Sequence, residues 1–253
     1  MLPINQRLIK HNFRDVNDLD RIKYIVIHYF GDLASAEAVA NYFYGTEAQA
    51  SAHYCVDDTS IWQCVLDEDI AGHCGGNGIG EYKGICTNDN SIGIEVRPYK
   101  TNIITELEID RDWYFHDATI NNVIDLTQML MNKYNVPVEN VIRHFDVTGK
   151  WCPRPFMGND INTYYRTTGN EMWQDFKKKL EKNQTIEQEN FNRLMDNYLK
   201  KLASKEPSSW SLLSREWAEK NGILKGTLTG KEYKLFCTRE QMIEFLYREN
   251  KLK

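Results

Sequence analysis

The chain has 253 residues, 42% of them hydrophobic, which suffices for one ordinary globular domain and a small second one. Six cysteines in a chain of this length exclude a disulfide-stapled scaffold, and no apolar run approaches the length that spans a bilayer. The first residues lack the apolar core of a signal peptide, so we expect synthesis in the cytoplasm and release by another route.

The formal net charge of −5 hides an asymmetry along the chain. Residues 1–176 hold 14 Lys and Arg against 25 Asp and Glu, a balance of −11, whereas residues 177–253 hold 17 against 11, a balance of +6. Opposite signs favour different partners. The basic part suits an anionic polymer, although a solvated helix face explains a single cluster such as residues 177–179 equally well. No motif supports a nucleic-acid partner.

The first two thirds of the chain alternate between strand and helix patterns. Apolar, β-branched residues at 24–29 predict a central strand buried on both faces. In order follow a helix at 34–44, a hairpin of 52–56 and 60–65, a glycine-rich loop at 72–84, a strand at 91–97, a helix at 116–134 and a strand at 141–143. This alternation predicts an α/β fold with a mixed central sheet flanked by helices.

The last third reads as helical. From Phe191 to Leu202 apolar residues recur every three or four positions, which predicts an amphipathic helix, and two further helical patterns follow at 214–221 and 238–248. The apolar stripe of the first helix must be buried on the rest of the chain or on a second copy, so a homo-oligomer is one expectation.

These patterns divide the chain into three parts. We predict a catalytic domain at 1–176, a helical linker at 177–206 and a small helical C-terminal domain at 207–253.

The strongest chemical signal is a histidine and a cysteine eight positions apart, His144 and Cys152, on a segment stiffened by Gly149 and two prolines. Such a loop can turn an imidazole nitrogen and a thiolate to one point. His28, at the end of the first predicted strand, can add a third ligand. Two histidines, one cysteine and an open position form the ligand set of a catalytic zinc, whereas structural zinc usually has four protein ligands. A lone histidine or cysteine is more often structural, so the prediction rests on the combination.

Two charged residues fit the same pocket. Glu95 ends an apolar strand, and it either faces solvent or takes a proton from a zinc-bound water as a general base. Lys150, two residues before Cys152, is either a solvated loop charge or a group that stabilises the oxyanion formed when an amide is attacked.

With these residues the chain resembles the N-acetylmuramoyl-L-alanine amidase type 2 family, which includes phage endolysins, T7-lysozyme-like enzymes and peptidoglycan recognition proteins. The resemblance is carried by four segments, Ile25-Val26-Ile27-His28, Ser51-Ala52-His53-Tyr54, Ile92-Gly93-Ile94-Glu95 and His144-Phe145-Asp146 with Gly149-Lys150-Trp151-Cys152-Pro153. It implies zinc bound by His28, His144 and Cys152, with catalysis by Glu95 and Lys150.

The resemblance also implies binding residues near the substrate groove. His53 and His73 match such positions, although a buried, hydrogen-bonded histidine is the alternative for His53. Ala52 stands where T7-like members carry a catalytic tyrosine, so that role falls to Glu95 or is absent. Tyr54, two positions on, is a substitute candidate.

The C-terminal part resembles a single S-layer-homology-type repeat, a module that holds proteins to cell-wall polymers. The residues concerned are 217–223 and 238–242, followed by 246–248. Its basic balance fits an anionic wall polymer.

Together these features predict an endolysin-type peptidoglycan hydrolase. It would cut the amide bond between N-acetylmuramic acid and L-alanine in the cell wall with zinc-activated water. Two alternatives stay open: a non-catalytic peptidoglycan-binding protein, which the presence of Cys152 disfavours, and a zinc peptidase acting within the stem peptide.

Overall fold

A computed structural model describes residues 1–46, 48–105, 107, 109–224 and 239–251. The chain divides into two compact units, Met1–Gln184 and Thr185–Lys253. A single helix, Gly169–Ala203, contains the junction between them. The three-part division at residues 176 and 206 stays a prediction.

The first unit is built on a six-stranded sheet. Its strands are β1 (Ile4–Gln6), β3 (Tyr24–Tyr29), β4 (Tyr54–Val56), β5 (Ile61–Gln63), β7 (Ser91–Val96) and β10 (Val141–Arg143). Two short pairs lie outside it, β2 (Phe13–Arg14) with β6 (Ile70–Ala71) and β8 (Tyr99–Lys100) with β9 (Trp113–Tyr114). The sheet order is β1-β5-β4-β7-β3-β10, and only β4 and β5 pair antiparallel among these strands.

The centre of the sheet is formed by β3 and β7. Ile25, Val26 and Ile27 are fully buried, as expected of a parallel strand covered on both faces. The register pairs His28 with Glu95. Paired residues of neighbouring strands point to the same face, so these two side chains share one face near the carboxyl ends of the strands.

Four helices accompany the sheet: α1 (Ala36–Tyr44), α2 (Asp117–Tyr134), α3 (His144–Thr148) and the first part of α4 (Gly169–Ala203). Ser35 caps α1 by accepting a hydrogen bond from the backbone N–H of Ala38, and Asn135 ends α2 in the left-handed conformation. The largest core cluster joins one face of β3 and β7 to α2 and the start of α4, through residues that include Ile25, Ile27, Ile92, Ile94, Leu126, Leu130, Trp173, Phe176 and Leu180.

The predicted α/β fold with a mixed central sheet is confirmed, and the strands and helices predicted between residues 24 and 143 lie within two residues of their observed bounds. The amphipathic helix predicted from Phe191 is the end of α4, which begins much earlier, at Gly169. The patterns missed β1, β2, β6, β8 and β9, because two or three residues are too few to show an alternation. His144 begins α3 instead of lying in a loop. Lys177 is not a solvated lysine: its Nζ donates to the carbonyl of Val141 at 2.6 Å, and burial lowers its pKa to about 8.

The described elements of the second unit are helical. They comprise the end of α4, α5 (Leu212–Lys220) and α6 (Arg239–Asn250). The Arg248 guanidinium donates to the carbonyl of Ile223 at 3.1 Å, which ties α6 to the end of α5. Residues 225–238, which include part of the predicted wall-binding repeat, lie outside the described residues. None of the described helices combines the length and the apolar character that a bilayer span requires.

Candidate metal centre and catalytic site

The site lies at the carboxyl ends of three parallel strands. His28 is near the end of β3, and it is 1% exposed. β10 lies beside β3 and ends immediately before His144, so two histidines from different parts of the sequence meet at one edge of the sheet. Their ring centroids are 4.6 Å apart.

Cys152 completes the group. Gly149 ends α3 with a φ of 82°, which turns the chain back, and the carbonyl of Cys152 accepts a hydrogen bond from the Phe145 N–H at 2.9 Å. The Cys152 Sγ lies 3.8 Å from His28 Nδ1, and one donor atom from each of His28, His144 and Cys152 lies within 4.8 Å of the others. In tetrahedral zinc sites a histidine nitrogen and a cysteine sulfur are about 3.6 Å apart. The three residues thus lie close enough together to hold a zinc ion, and they are the three that the sequence predicts as ligands.

Both histidines favour the neutral form that a metal ligand needs. Burial lowers the pKa of His28 well below its usual range, and the neighbouring His144 lowers it further. Burial likewise lowers the pKa of His144 to about 4, with a second contribution from the Lys150 ammonium. A lone pair is therefore available on each ring at neutral pH.

Glu95 faces the same group from β7. Its Oε1 lies 4.0 Å from His28 Nδ1, on the side of the ring that faces Cys152. Within the described part of the chain, Glu95 Oε2 is buried without a hydrogen-bond partner. Burial raises the pKa of Glu95 to about 8, while the positive charge of Lys150 acts in the opposite direction. An unpaired buried carboxyl oxygen beside three metal-ligand atoms fits a site that also receives water.

The other ring nitrogen of His28 is held by a short chain of hydrogen bonds. His28 Nε2 lies 3.0 Å from His73 Nδ1, and His73 Nε2 lies 3.1 Å from the Ser91 hydroxyl. The Ser91 hydroxyl donates to the carbonyl of Thr87 at 2.6 Å.

The direction of this chain follows from its last member, because a carbonyl only accepts. Ser91 has given its hydrogen to Thr87, so its oxygen accepts from His73 Nε2–H. A neutral imidazole carries one hydrogen, so His73 Nδ1 accepts from His28 Nε2–H. The lone pair of His28 is thereby fixed on Nδ1, the nitrogen that faces Cys152 and Glu95.

A glycine makes room for this arrangement. A Cβ on Gly93 would lie 2.6 Å from the His73 ring, which is closer than such atoms approach. Gly93 lies on β7 between Ser91 and Glu95, and all three residues are on the same face of the sheet. The His73 ring therefore packs directly against the backbone of β7. A larger side chain at this position would displace His73 from His28.

We expect Ser91→Ala to weaken metal binding by roughly tenfold, because the lone pair of His28 is then no longer fixed on Nδ1. This is the lower end of the range of affinity losses caused by removing hydrogen-bond partners of metal-bound histidines. Competition with a chromophoric chelator measures the affinity. Ser91→Thr keeps the hydroxyl and serves as the control. Equal affinities for Ser91→Ala and the wild type would contradict the proposed direction.

The remaining predicted binding residues lie elsewhere. Tyr54 pairs with Ile94, so it points to the face opposite Glu95, where its hydroxyl donates to Asp67 at 2.7 Å. His53 is fully buried, and its Nδ1 accepts from the Gly93 N–H at 3.0 Å. His53 therefore has the buried, hydrogen-bonded environment of the alternative given for it in the sequence analysis. The substrate contacts of His53, Tyr54 and His73 stay predictions.

Sequence reasoning missed Ser91 and Gly93. The available signal was their even spacing from Glu95, which places all three on one face of the same strand. The packing of His73 on Gly93 could not be predicted from the sequence. It depends on a contact between two residues 20 positions apart, one in a glycine-rich loop and the other in a strand.

Comparison with known proteins gives a consistent result. Residues 18–155 match the profile of the family described as N-acetylmuramoyl-L-alanine amidase. A probable N-acetylmuramoyl-L-alanine amidase of Bacillus licheniformis is 31% identical in an alignment of 159 residues that covers 58% of this chain and 42% of the relative. The chain thus aligns with less than half the length of that curated relative.

Solved structures resemble about seven tenths of the chain. A mutant endolysin from Bacillus subtilis is 28% identical with a TM-score of 0.51, covering 71% of this chain and 99% of the other. The structure of PlyL is 25% identical with a TM-score of 0.54, covering 71% of this chain and 97% of the other.

Proposed function

Because the chain belongs to the N-acetylmuramoyl-L-alanine amidase family, we propose that it is an endolysin-type peptidoglycan hydrolase, which cleaves the amide bond between N-acetylmuramic acid and L-alanine. The observation that carries the proposal is the convergence of His28, His144 and Cys152 beside the unpaired oxygen of Glu95. Three protein ligands leave one coordination position open, which is typical of hydrolytic zinc sites.

Zinc is the metal proposed for this site. When bound, it supplies Lewis-acid chemistry, polarising the amide carbonyl and making water a better nucleophile. The protein groups then have three tasks: to fix the ligand geometry, to move a proton and to stabilise negative charge.

Glu95 is proposed to move the proton. In its ionised form, which the positive charge of Lys150 favours and a bound zinc cation would favour further, its Oε2 takes a proton from the attacking water as the water oxygen bonds to the lactyl carbonyl carbon. When the bond from that carbon to the alanine nitrogen breaks, the same carboxyl gives the proton to the leaving amine. The products are a free lactyl carboxylate on the sugar and a new amino terminus on L-alanine.

Lys150 is proposed to stabilise the oxyanion of the tetrahedral intermediate. Its ammonium is close enough to act on the pKa of His28, His144 and Glu95, so its charge is felt throughout the site. A cation held beside developing negative charge lowers the barrier for acyl transfer.

The C-terminal part is proposed to hold the enzyme to the wall as an S-layer-homology-like module. Support comes from the balance of +6 over residues 177–253 and from the helical pieces α5 and α6. The polymer it fits is anionic. The enzyme would then act at the cell wall.

Digestion of purified peptidoglycan tests this function. We expect one new L-alanine amino terminus for each bond cut, loss of activity after chelation and recovery with zinc. Amino termini from residues further along the stem would identify a peptidase, and binding without release would identify a non-catalytic receptor. Walls stripped of anionic polymer should retain less of the full chain if the C-terminal proposal is correct.

A further inference from the structure

Trp151 stands between two residues of the site, Lys150 and Cys152. The Cys152 N–H donates to the carbonyl of Lys150 at 2.7 Å, which closes a three-residue turn with Trp151 at its centre. Consecutive Cα atoms are about 3.8 Å apart, so the tryptophan backbone is fixed within one residue of the metal ligand. Cys152 is 2% exposed, whereas Trp151 is 43% exposed.

The Trp151 ring is held although it is not buried. The guanidinium carbon of Arg154 lies 4.9 Å from the ring centroid. Arg154 is itself 7% exposed, and its two terminal nitrogens donate to the carbonyls of Met157 and Ile109 at 3.2 Å each. Gly158 also lies against the ring, because a Cβ built on it would be 3.6 Å away. The indole is therefore positioned before any ligand arrives.

A core role does not account for this tryptophan. Trp113 and Trp173 belong to the main core cluster and are 1% and 5% exposed. A single exposed aromatic ring is ordinary on a protein surface. An exposed ring that is fixed by a buried arginine, one residue from a candidate metal ligand, offers a rigid apolar face on which a ligand can pack.

We propose that Trp151 forms a sugar-binding subsite, on which the pyranose ring of the muramic acid packs while the neighbouring amide is cleaved. This inference rests on the proposed function, because the bond in question joins the lactyl group of a sugar to L-alanine. It identifies the group that binds beside Cys152.

The chemistry of the substrate favours the sugar over the peptide at this surface. L-alanine contributes one methyl group next to the bond, which covers little of an indole. A pyranose is a six-membered ring with a flat face of C–H groups, and it matches an aromatic face in size and polarity. Tryptophan combines a large apolar face with a polar edge, which suits a ligand carrying hydroxyl groups around an apolar face.

Two substrates separate the subsite from the catalytic chemistry. One is N-acetylmuramoyl-L-alanyl-D-isoglutamine, and the other is the same dipeptide acylated with D-lactic acid, which keeps the scissile amide but lacks the sugar. With Trp151→Ala we expect kcat/KM on the first to fall about five- to tenfold, the effect of one aromatic contact. The value on the second should change less than about twofold.

Three further variants sharpen the result. Trp151→Phe should retain most of the preference for the sugar substrate, whereas Trp151→Leu should lose it. Tyr42→Ala removes an aromatic ring that is 54% exposed on α1 and should change neither value. Inhibition by free N-acetylmuramic acid should weaken in Trp151→Ala and Trp151→Leu.

The outcomes distinguish the two proposals. An active wild type combined with equal losses on both substrates, or with no loss on either, would overturn the sugar subsite and leave the amidase intact. A wild type inactive on both would defeat the proposed function. In that case calorimetric titration with N-acetylmuramic acid still decides the subsite, which requires binding to the wild type and weaker binding to Trp151→Ala.

Discussion

Replacing Cys152 with serine is expected to abolish both metal retention and hydrolysis. The residue supplies the single sulfur of the candidate site, with its Sγ 3.8 Å from His28 Nδ1. A serine hydroxyl is a poor zinc ligand, and it is shorter than the thiol. Loss of partners around a zinc ligand costs about 10- to 100-fold in affinity, so loss of the ligand itself should cost more than about a hundredfold.

The measurement combines metal content after dialysis with release of L-alanine amino termini from peptidoglycan. Cys64→Ala is a matched control, because Cys64 is equally buried and lies outside the metal group. Its metal content should equal that of the wild type. If Cys152→Ser kept both its zinc and full activity, the assignment of the three ligands would be wrong.

Glu95→Gln is expected to lower kcat by roughly 10²- to 10⁴-fold, the usual contribution of a general base, while the metal remains bound. The amide has the shape of the carboxyl group but cannot accept the proton of the attacking water. Since burial already disfavours the charged form of Glu95, glutamine should not reduce the melting temperature.

Pre-steady-state or steady-state rates on the soluble muramoyl dipeptide measure this effect. Glu37→Gln, on the exposed side of α1, is the same substitution outside the site and should change neither kcat nor KM. A raised KM with an unchanged kcat would assign Glu95 to substrate binding and reject it as the base.

The two variants together separate the parts of the site. Cys152→Ser should lose zinc and activity, whereas Glu95→Gln should lose activity alone. This pattern follows from their positions. Cys152 belongs to the candidate ligand group, whereas Glu95 faces that group from β7 without belonging to it. The reverse pattern would require a different set of ligands.

Much of this site could be predicted because its parts are local patterns. The apolar run before His28 predicts a buried strand, and a histidine and a cysteine eight positions apart predict two ligand atoms close together, although His144 begins α3 and does not lie in a loop. Periodicity also predicted α1, α2 and the last part of α4, since a helix or a strand of six or more residues repeats its pattern several times.

Tertiary structure alone decided how these parts face each other. Tyr54 was a substitute candidate beside Glu95 in the sequence, but the register of β4 on β7 places Tyr54 on the opposite face of the sheet. The sequence predicted His73 near the substrate groove but not its hydrogen bonds to His28 and Ser91 or its contact with Gly93, which the tertiary structure provides.

The amino-acid sequence by itself determined the α/β class, the central strand and the three candidate ligands, because spacing along the chain is a property of neighbouring residues. The hydrogen-bond chain behind His28, the fixed ring of Trp151 and the paths of the shortest strands depended on contacts between distant segments. Strand register and packing determine those contacts, and both depend on segments that are distant from each other in the sequence.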